Sequence, residues 1–210
     1  MHGSMIEVRE RIQKTIAALT KNGIEAEYIP SRGALIERLG QLIEKDSLVV
    51  SGSSVTLRDT GVRDWLLDGP YEYYDSGDGS EDREEKIRKA FSADVYLTSV
   101  AAVTETGELL VVDGTGNRVA ALSYGPKRVI IIAGMNKIVP DFATAMERLR
   151  TVAAPMNAVR RGKINLPCHV TGVCRDCHSP NRMCCYFLRI AFTRAKGRFR
   201  VLLLDEPAGY

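Results

Sequence analysis

Apolar side chains in the first third of the chain recur at spacings that predict alternating helices and strands. Residues 5–21 carry them at the three- and four-residue intervals of an amphipathic helix, and a second helix follows Ser31, which is a typical cap. A third helix is predicted over residues 56–67 and a charged surface helix over residues 81–91. Short apolar runs predict strands at residues 24–29, 48–50 and 71–74.

The rest of the chain continues this alternation. Strands are predicted at residues 93–103, 109–112 and 128–133, and a helix over residues 140–153. Short apolar strands that alternate with helices favour an α/β fold with an open, mostly parallel sheet flanked by helices. Ligands of such sheets bind beyond the carboxyl ends of the strands, so we look for function in the loops that follow strands.

The C-terminal quarter differs in charge from the rest. Residues 160–210 hold ten Lys and Arg against three Asp and Glu, whereas residues 1–159 hold 19 against 23. We therefore expect an acidic α/β body over residues 5–159 and a basic extension, residues 160–210, that packs on it. Residues 186–193 and 198–205 in this extension predict a β-hairpin. Residues 1–4, Met-His-Gly-Ser before a second Met, are typical of a tag remnant.

The composition excludes some classes of protein. The chain has 210 residues, of which 45% are hydrophobic and 26% charged, values typical of globular proteins and not of disordered ones. No apolar run approaches the roughly 18 residues that would span a bilayer. No charged-then-apolar leader opens the sequence, so we expect a cytoplasmic protein.

The first loop that follows a predicted strand is rich in hydroxyl groups. At a strand-to-helix junction, backbone N–H groups and hydroxyls can bind an anion. A plain capped turn is the alternative, and the loop has neither the Gly-Lys-Ser/Thr ending of a nucleotide-binding P-loop nor a Gly-x-Gly-x-x-Gly pattern. The candidate ligand-binding residues are Ser51, Gly52, Ser53, Ser54, Thr56 and Arg58.

Two further polar turns follow strands in the second half of the chain. Glu105 lies beside an apolar run, where burial would raise the pKa of its carboxyl, so it is the candidate catalytic residue. Arg118 is a candidate clamp for a carboxylate or phosphate. Both turns have compositions that also suit plain turns. The accompanying ligand-binding candidates are Thr106, Gly107, Gly114, Gly116 and Asn117.

Several blocks of the chain resemble the lactate-utilization (LUD) domain family. They are Thr-Glu-Thr-Gly-Glu-Leu-Leu-Val-Val from Thr104 and Arg-Val-Ile-Ile-Ile-Ala-Gly-Met-Asn-Lys-Ile-Val from Arg128. The stretch Ser-Gly-Ser-Ser-Val-Thr-Leu-Arg-Asp-Thr-Gly from Ser51 is similar to that family's first loop. The cysteine segment and the ending, residues 201–210, are similar to a short-chain bacterial branch, so the resemblance covers nearly all of residues 5–210.

This resemblance implies a fold of the sugar-phosphate isomerase and coenzyme A transferase superfamily. It implies that the loop at residues 51–56 holds a phosphate or coenzyme A, and that a Glu acts as nucleophile or base, for which Glu105 is the nearest candidate. It also implies a role as one component of L-lactate oxidation, with partner proteins that carry iron–sulfur centres. Fold alone does not decide the chemistry of this chain.

All five cysteines lie within residues 168–185. Their spacing is Cys168-x5-Cys174-x2-Cys177-x6-Cys184, with Cys185 adjacent. Four of them, Cys168, Cys174, Cys177 and Cys184, are candidate ligands of zinc or of an iron–sulfur cluster. Metal-free thiols are the alternative, and a cytoplasmic setting argues against permanent disulfides. His169 and His178 are reserve ligands.

Three classes of function remain open at this point. The first is a component of lactate or other 2-hydroxy acid oxidation that binds a small anion at the strand ends and meets an iron–sulfur partner. The second is a transferase or isomerase acting on a coenzyme A or phosphorylated substrate through Glu105. The third is a non-catalytic metal- or partner-binding module. Nucleic-acid binding is disfavoured because the cysteine spacing matches neither a zinc ribbon nor a two-Cys, two-His finger. Homo-oligomerisation is open.

Overall fold

The computed structural model describes residues 5–77, 79–163 and 165–210, and the expected tag remnant at residues 1–4 lies outside them. The described residues form ten strands. They are Glu25–Ile29 (β1), Leu48–Ser51 (β2), Glu72–Asp75 (β3), Val95–Thr98 (β4), Ala102–Thr104 (β5), Leu109–Asp113 (β6), Arg128–Gly134 (β7), Ile138–Val139 (β8), Tyr186–Ile190 (β9) and Phe199–Leu204 (β10).

Six of these strands form one sheet in the order β1-β10-β7-β4-β2-β3. Every neighbouring pair in it is parallel, so all six carboxyl ends lie along the same edge. The expected α/β fold with a mostly parallel sheet is thereby confirmed. The other four strands form a smaller mixed sheet in the order β8-β5-β6-β9.

Short helices cover the faces of the two sheets. They are Met5–Lys21 (α1), Arg32–Leu42 (α2), Val55–Asp59 (α3), Val62–Asp68 (α4), Arg83–Lys89 (α5), Asn117–Ser123 (α6), Phe142–Arg148 (α7), Ala154–Arg160 (α8) and Pro167–Thr171 (α9). A π-helical turn, Leu149–Ala153, joins α7 to α8 just before Pro155. Proline has no N–H to donate within a helix, which explains the irregular turn there. None of the helices in the described ranges has the length and hydropathy of a membrane span.

The main sheet is buried on both faces, as is usual for parallel sheets. Along β10, Val201 and Leu203 pack with α1, α6 and the smaller sheet. Leu202 and Leu204 point to the other face and pack with α2, α3 and α4. Successive side chains of a strand point to opposite faces, so a continuous apolar run is fully buried only in a sheet that is covered on both faces.

The predicted β-hairpin is wrong. Its two strands, β9 and β10, belong to different sheets: β9 pairs antiparallel with β6, whereas β10 lies between β1 and β7. The physical reason is burial: the side chains of β10 are buried on both faces of the main sheet, whereas most side chains of β9 are exposed, so the two strands suit different sheets. Residues 160–210 therefore contribute a central strand of the main sheet.

The predicted strand over residues 93–103 is in fact two strands. β4 ends at Thr98 in the main sheet, and β5 begins at Ala102 in the smaller one. Polar Thr98 and Ser99 lie at this break, and both are buried. The break brings the smaller sheet over the carboxyl ends of the main strands, where the candidate site lies.

Candidate functional site

A buried lysine lies among the carboxyl ends of three neighbouring strands, β7, β4 and β2. Lys137 follows β7 and is only 3% exposed. Its Nζ donates hydrogen bonds to Thr56 Oγ1 at 2.9 Å, to Ser99 Oγ at 2.9 Å and to the Val100 carbonyl at 3.2 Å. All three acceptors are neutral oxygens, so these hydrogen bonds do not neutralise a charge on the amine.

The surroundings of Lys137 disfavour its charged form. Burial, followed by the nearby cations Arg148 and Arg118, lowers its pKa from 10.5 to about 7, with Asp59 opposing the shift. At neutral pH the side chain therefore exchanges between ammonium and amine. An anion bound nearby would favour the ammonium form.

Arg118 and Tyr96 connect two of the predicted loops around this lysine. The Tyr96 hydroxyl lies 3.2 Å from where a Cβ on Gly52 would stand. Burial raises the pKa of Tyr96 to about 12, and Arg118 is close enough to oppose that shift. The Tyr96 hydroxyl thus lies beside the loop at residues 51–56 and within electrostatic reach of Arg118. We call this group the strand-end site; it comprises Gly52, Ser53, Thr56, Tyr96, Ser99, Arg118 and Lys137.

Some of the donors expected to bind an anion are already engaged within the protein. Ser54 Oγ accepts from the Leu57 N–H and caps α3. The Asp113 carboxylate accepts from the Arg118 N–H at 2.8 Å and so satisfies the start of α6. Ser51 shares a hydrogen bond with the Tyr73 hydroxyl. A ligand would therefore depend on side-chain cations and on the half-buried Gly52 and Ser53.

The other predicted residues of these loops have structural contacts. Arg58 lies on the exposed side of α3. Gly116 has a positive φ of 83° at the start of α6, and an added Cβ would contact the Tyr186 ring. Gly114 packs against the Met183 backbone, and Asn117 accepts a hydrogen bond from Thr115.

The turn that contains Glu105, Thr106 and Gly107 lies beside β8, where the Glu105 N–H donates to the Val139 carbonyl, and away from Arg118. It joins β5 to β6, whereas Arg118 follows the opposite end of β6, five residues of strand away, roughly 17 Å. Glu105 pairs with Arg11 at 2.7 Å and Lys14 at 3.0 Å on α1. Gly107 packs against the α1 backbone, and Thr106 is exposed and bonded to Thr104.

The expected rise in the pKa of Glu105 is wrong. Burial would raise this pKa, but hydrogen bonds from Lys14 and Arg11 outweigh burial and lower it below 4.5. The sequence pattern placed the carboxylate correctly beside an apolar run, yet could not show that two cations of a distant helix reach it.

Lys137, Ser99 and Arg148 were not singled out from the sequence. The available signal was a lysine only four residues after the predicted strand at residues 128–133, at the edge where ligands of parallel sheets bind. Arg160 was noted only as part of the basic extension, and its Nη1 donates to Ser53 Oγ at 3.1 Å. The last residues also reach the site, since Gly209 packs against Thr56.

The cysteines form a second feature, under α7 and the π turn. All five thiols are free. Four of them line one cavity of ≈ 40 Å³, which we call the thiol cavity: Cys168, Cys174, Cys177 and Cys184. Burial, followed by the neighbouring thiols, raises the pKa of Cys184 to about 11. Within the described residues no three His, Cys, Asp or Glu side chains are arranged to hold a metal ion.

Comparison with known families identifies the fold. The sequence profile of the LUD domain matches residues 12–204. The chain belongs to the LUD domain family. The match extends through β10, so the C-terminal quarter is part of the LUD domain, and the family expected from the sequence is confirmed.

Solved structures are similar to this LUD domain at low sequence identity. A DUF162 family protein from Deinococcus radiodurans is 15% identical, with a TM-score of 0.52 over 97% of this chain and 98% of that one. The eIF2B beta protein from Chaetomium thermophilum is 14% identical, with a TM-score of 0.40 over 54% of this chain and 44% of that one. The first likeness supports the fold alone. No curated protein matches the sequence.

Proposed function

We propose that this protein acts in lactate utilization by binding a small 2-hydroxy carboxylate, such as lactate, at the strand-end site. The observation that carries the proposal is the buried Lys137, whose three hydrogen bonds go to neutral oxygens while Arg118 and Arg148 lie close by. A cluster of cations of this kind stabilises a bound anion. Membership of the LUD domain family supports lactate as the first substrate to test.

The two functional groups of lactate match the chemistry of the site. The Arg118 guanidinium donates through Nη2 to the Val112 carbonyl, and its other N–H groups are suited to a carboxylate. Ser53 offers a hydroxyl at the mouth of the site, where Arg160 already approaches it. Lys137 lies deeper. The negative charge of a bound ligand would raise the pKa of Lys137 and so increase the fraction of the side chain that carries a positive charge.

The proposal is tested by calorimetric titration of the full chain with L-lactate, pyruvate, inorganic phosphate and coenzyme A. Arg118→Gln should weaken lactate binding at least about tenfold, because a hydrogen bond to a charged group contributes about 1.5–3 kcal/mol. Lys127→Gln is the matched control. It removes one positive charge at the amino end of β7, where Lys127 is exposed and pairs with Asp94.

The pH dependence gives a second readout. Lactate affinity should fall as the pH rises above about 7, where Lys137 loses its proton, and Lys137→Met should flatten this dependence. Equal lactate affinities for Arg118→Gln and Lys127→Gln would overturn the proposed site. Binding of phosphate or coenzyme A without lactate or pyruvate would favour the transferase or isomerase alternative and contradict the proposed substrate.

A further inference from the structure

We propose that the thiol cavity is the binding site of a four-iron iron–sulfur cluster, with Cys168, Cys174, Cys177 and Cys184 as its four ligands. This site is separate from the strand-end site, so it stands whether or not lactate binds there. Iron–sulfur clusters of this type are held by four cysteine thiolates.

The four thiols reach one cavity from three parts of the chain. Cys168 lies on α9, Cys174 and Cys177 lie on the loop after it, and Cys184 lies two residues before β9. Cys185 is adjacent in sequence but does not line the cavity; it is exposed and its thiol donates to the Arg182 carbonyl. The fold thus selects four of the five cysteines, which is the number that a cluster requires.

The size of the cavity favours a cluster over a single ion. Zinc holds each sulfur at about 2.3 Å, so its four ligands must converge closely on one point. In the described part of the chain no three potential ligands converge in that way. A four-iron cluster binds each thiolate through a different iron and keeps the thiolates farther apart. The cavity of ≈ 40 Å³ is several times the roughly 10–15 Å³ that one water needs.

The walls of the cavity suit an anionic inorganic cluster. Apolar side chains, among them Met146, Leu149 and Phe187, limit the access of water. Asp176 and Arg182 also line the cavity and pair with each other, and the Arg182 guanidinium, which donates to the Cys177 and Cys184 carbonyls, places a positive charge beside the thiols. Both features are means by which proteins stabilise such clusters.

The loop that carries the ligands is held in place by backbone contacts. Arg182 donates to the Cys177 carbonyl at 2.9 Å and to the Cys184 carbonyl at 2.8 Å, and it pairs with Asp176. The Cys174 N–H donates to the Arg150 carbonyl at 2.8 Å. Between α9 and β9 the loop has no helix or strand, and a bound cluster would explain why so long an irregular segment is tied down.

The experiment is anaerobic reconstitution of the full chain with ferrous iron, sulfide and a thiol reductant. We expect about four irons and about four acid-labile sulfides per chain, with the visible charge-transfer absorption of a cluster. Separate Cys174→Ser, Cys177→Ser and Cys184→Ser variants should lose most of this absorption and iron. The matched Cys185→Ser variant should retain both, because Cys185 lies outside the cavity.

Folding is checked by circular dichroism and thermal unfolding of each variant. Cys177 is half-buried on the loop, so its replacement should disturb the core less than replacement of the buried Cys168. Two results would overturn the proposal: iron and sulfide that do not bind to folded wild-type protein, or equal losses in Cys185→Ser and Cys177→Ser. Stoichiometric zinc that binds through the four cysteines and prevents cluster formation would also contradict it, as would a disulfide among them in anaerobic protein.

Discussion

Lys137 illustrates how the charge of one residue depends on what surrounds it. Its neighbours at hydrogen-bonding distance are two hydroxyls and a carbonyl, and the charged groups that act on it are Arg118, Arg148 and Asp59. With two cations against one carboxylate and almost no water, the amine form gains relative to the ammonium form. The same imbalance attracts an anion, so the strand-end site is destabilising without a ligand and receptive to one.

The stability of the protein should therefore depend on pH through Lys137. The folded pKa is about 7 and the unfolded value is 10.5. Between these values the unfolded chain binds more protons, so stability rises with pH across this window and the penalty is fully present below pH 7. The full difference is on the order of 3–5 kcal/mol.

Lys137→Met removes this titration and provides the comparison. Chemical denaturation of both proteins between pH 6 and pH 10 gives the free energy of unfolding at each pH. The free energy of unfolding of the wild type should increase relative to that of the variant as the pH rises. Parallel curves over this range would mean that Lys137 is not held in a desolvated position.

At the scale of elements, the β5–β6 turn and α1 form a contact that the sequence-based assignment of Glu105 did not include. Arg11 and Lys14 lie one turn apart on α1 and both reach Glu105, while Gly107 brings the turn's backbone against Ala18. Gly107 has a φ of 85°, which glycine adopts without strain. This contact joins the smaller sheet to the helix that covers the main one.

We expect Glu105→Gln to lower the free energy of unfolding by about 1 kcal/mol, because both cations are partly exposed. The pKa of Glu105 is below 4.5 in the folded protein, so its contribution is present above pH 4.5 and is lost as the pH falls through the folded value. The variant should accordingly show a weaker loss of stability in acid. Denaturation at pH 7 and at pH 3 measures both effects.

The same variant separates the two functional alternatives. Lactate binding should be unchanged in Glu105→Gln, since the turn lies at the far end of β6 from Arg118. A large loss of substrate turnover in a stably folded Glu105→Gln protein would instead support the role of nucleophile or base.

The helical segment formed by α7, the π turn and α8 connects the two proposed sites. Arg148, near its middle, acts on Lys137, and Arg160, at its end, donates to Ser53. Between them Leu149 and Arg150 line the thiol cavity. A π turn shifts the direction of the side chains that follow it, so it allows one helical segment to serve both sites.

At the scale of the whole molecule, the C-terminal strand β10 joins the N-terminal strand β1 to the rest of the main sheet. β10 fills the position between β1 and β7, and residues of all three strands share the core on both faces. Because of this long-range closure, we expect the chain to unfold as one cooperative unit.

A fragment that ends at residue 159 should therefore not fold. Without β10, the edges of β1 and β7 lose their partners and their apolar side chains become exposed. Circular dichroism and thermal unfolding should show no cooperative transition for the fragment. A chain that ends at Leu204 keeps β10 and is the control, expected to unfold cooperatively. A cooperative transition of the shorter fragment would contradict the central role of β10.

The amino-acid sequence predicted those features that depend on neighbouring residues. Apolar periodicity and the cap at Ser31 placed α1, α2 and most strands of the main sheet, because local spacing decides which face of an element is buried. The loop at residues 51–56 was correctly assigned to a strand-to-helix junction. Short segments with weak periodicity, such as α6 and α9, were not predicted.

What depends on distant residues was decided only by the tertiary structure. The sequence by itself determined the α/β class, the LUD domain family, the polar loops after strands and the set of cysteines. The fold decided that β9 and β10 separate, that Glu105 pairs with α1, that Lys137 is buried beside Arg118, and that four of five thiols share a cavity. The physical reason is that charge, burial and ligand geometry depend on which atoms surround a side chain, and for these residues the surrounding atoms come from distant parts of the chain.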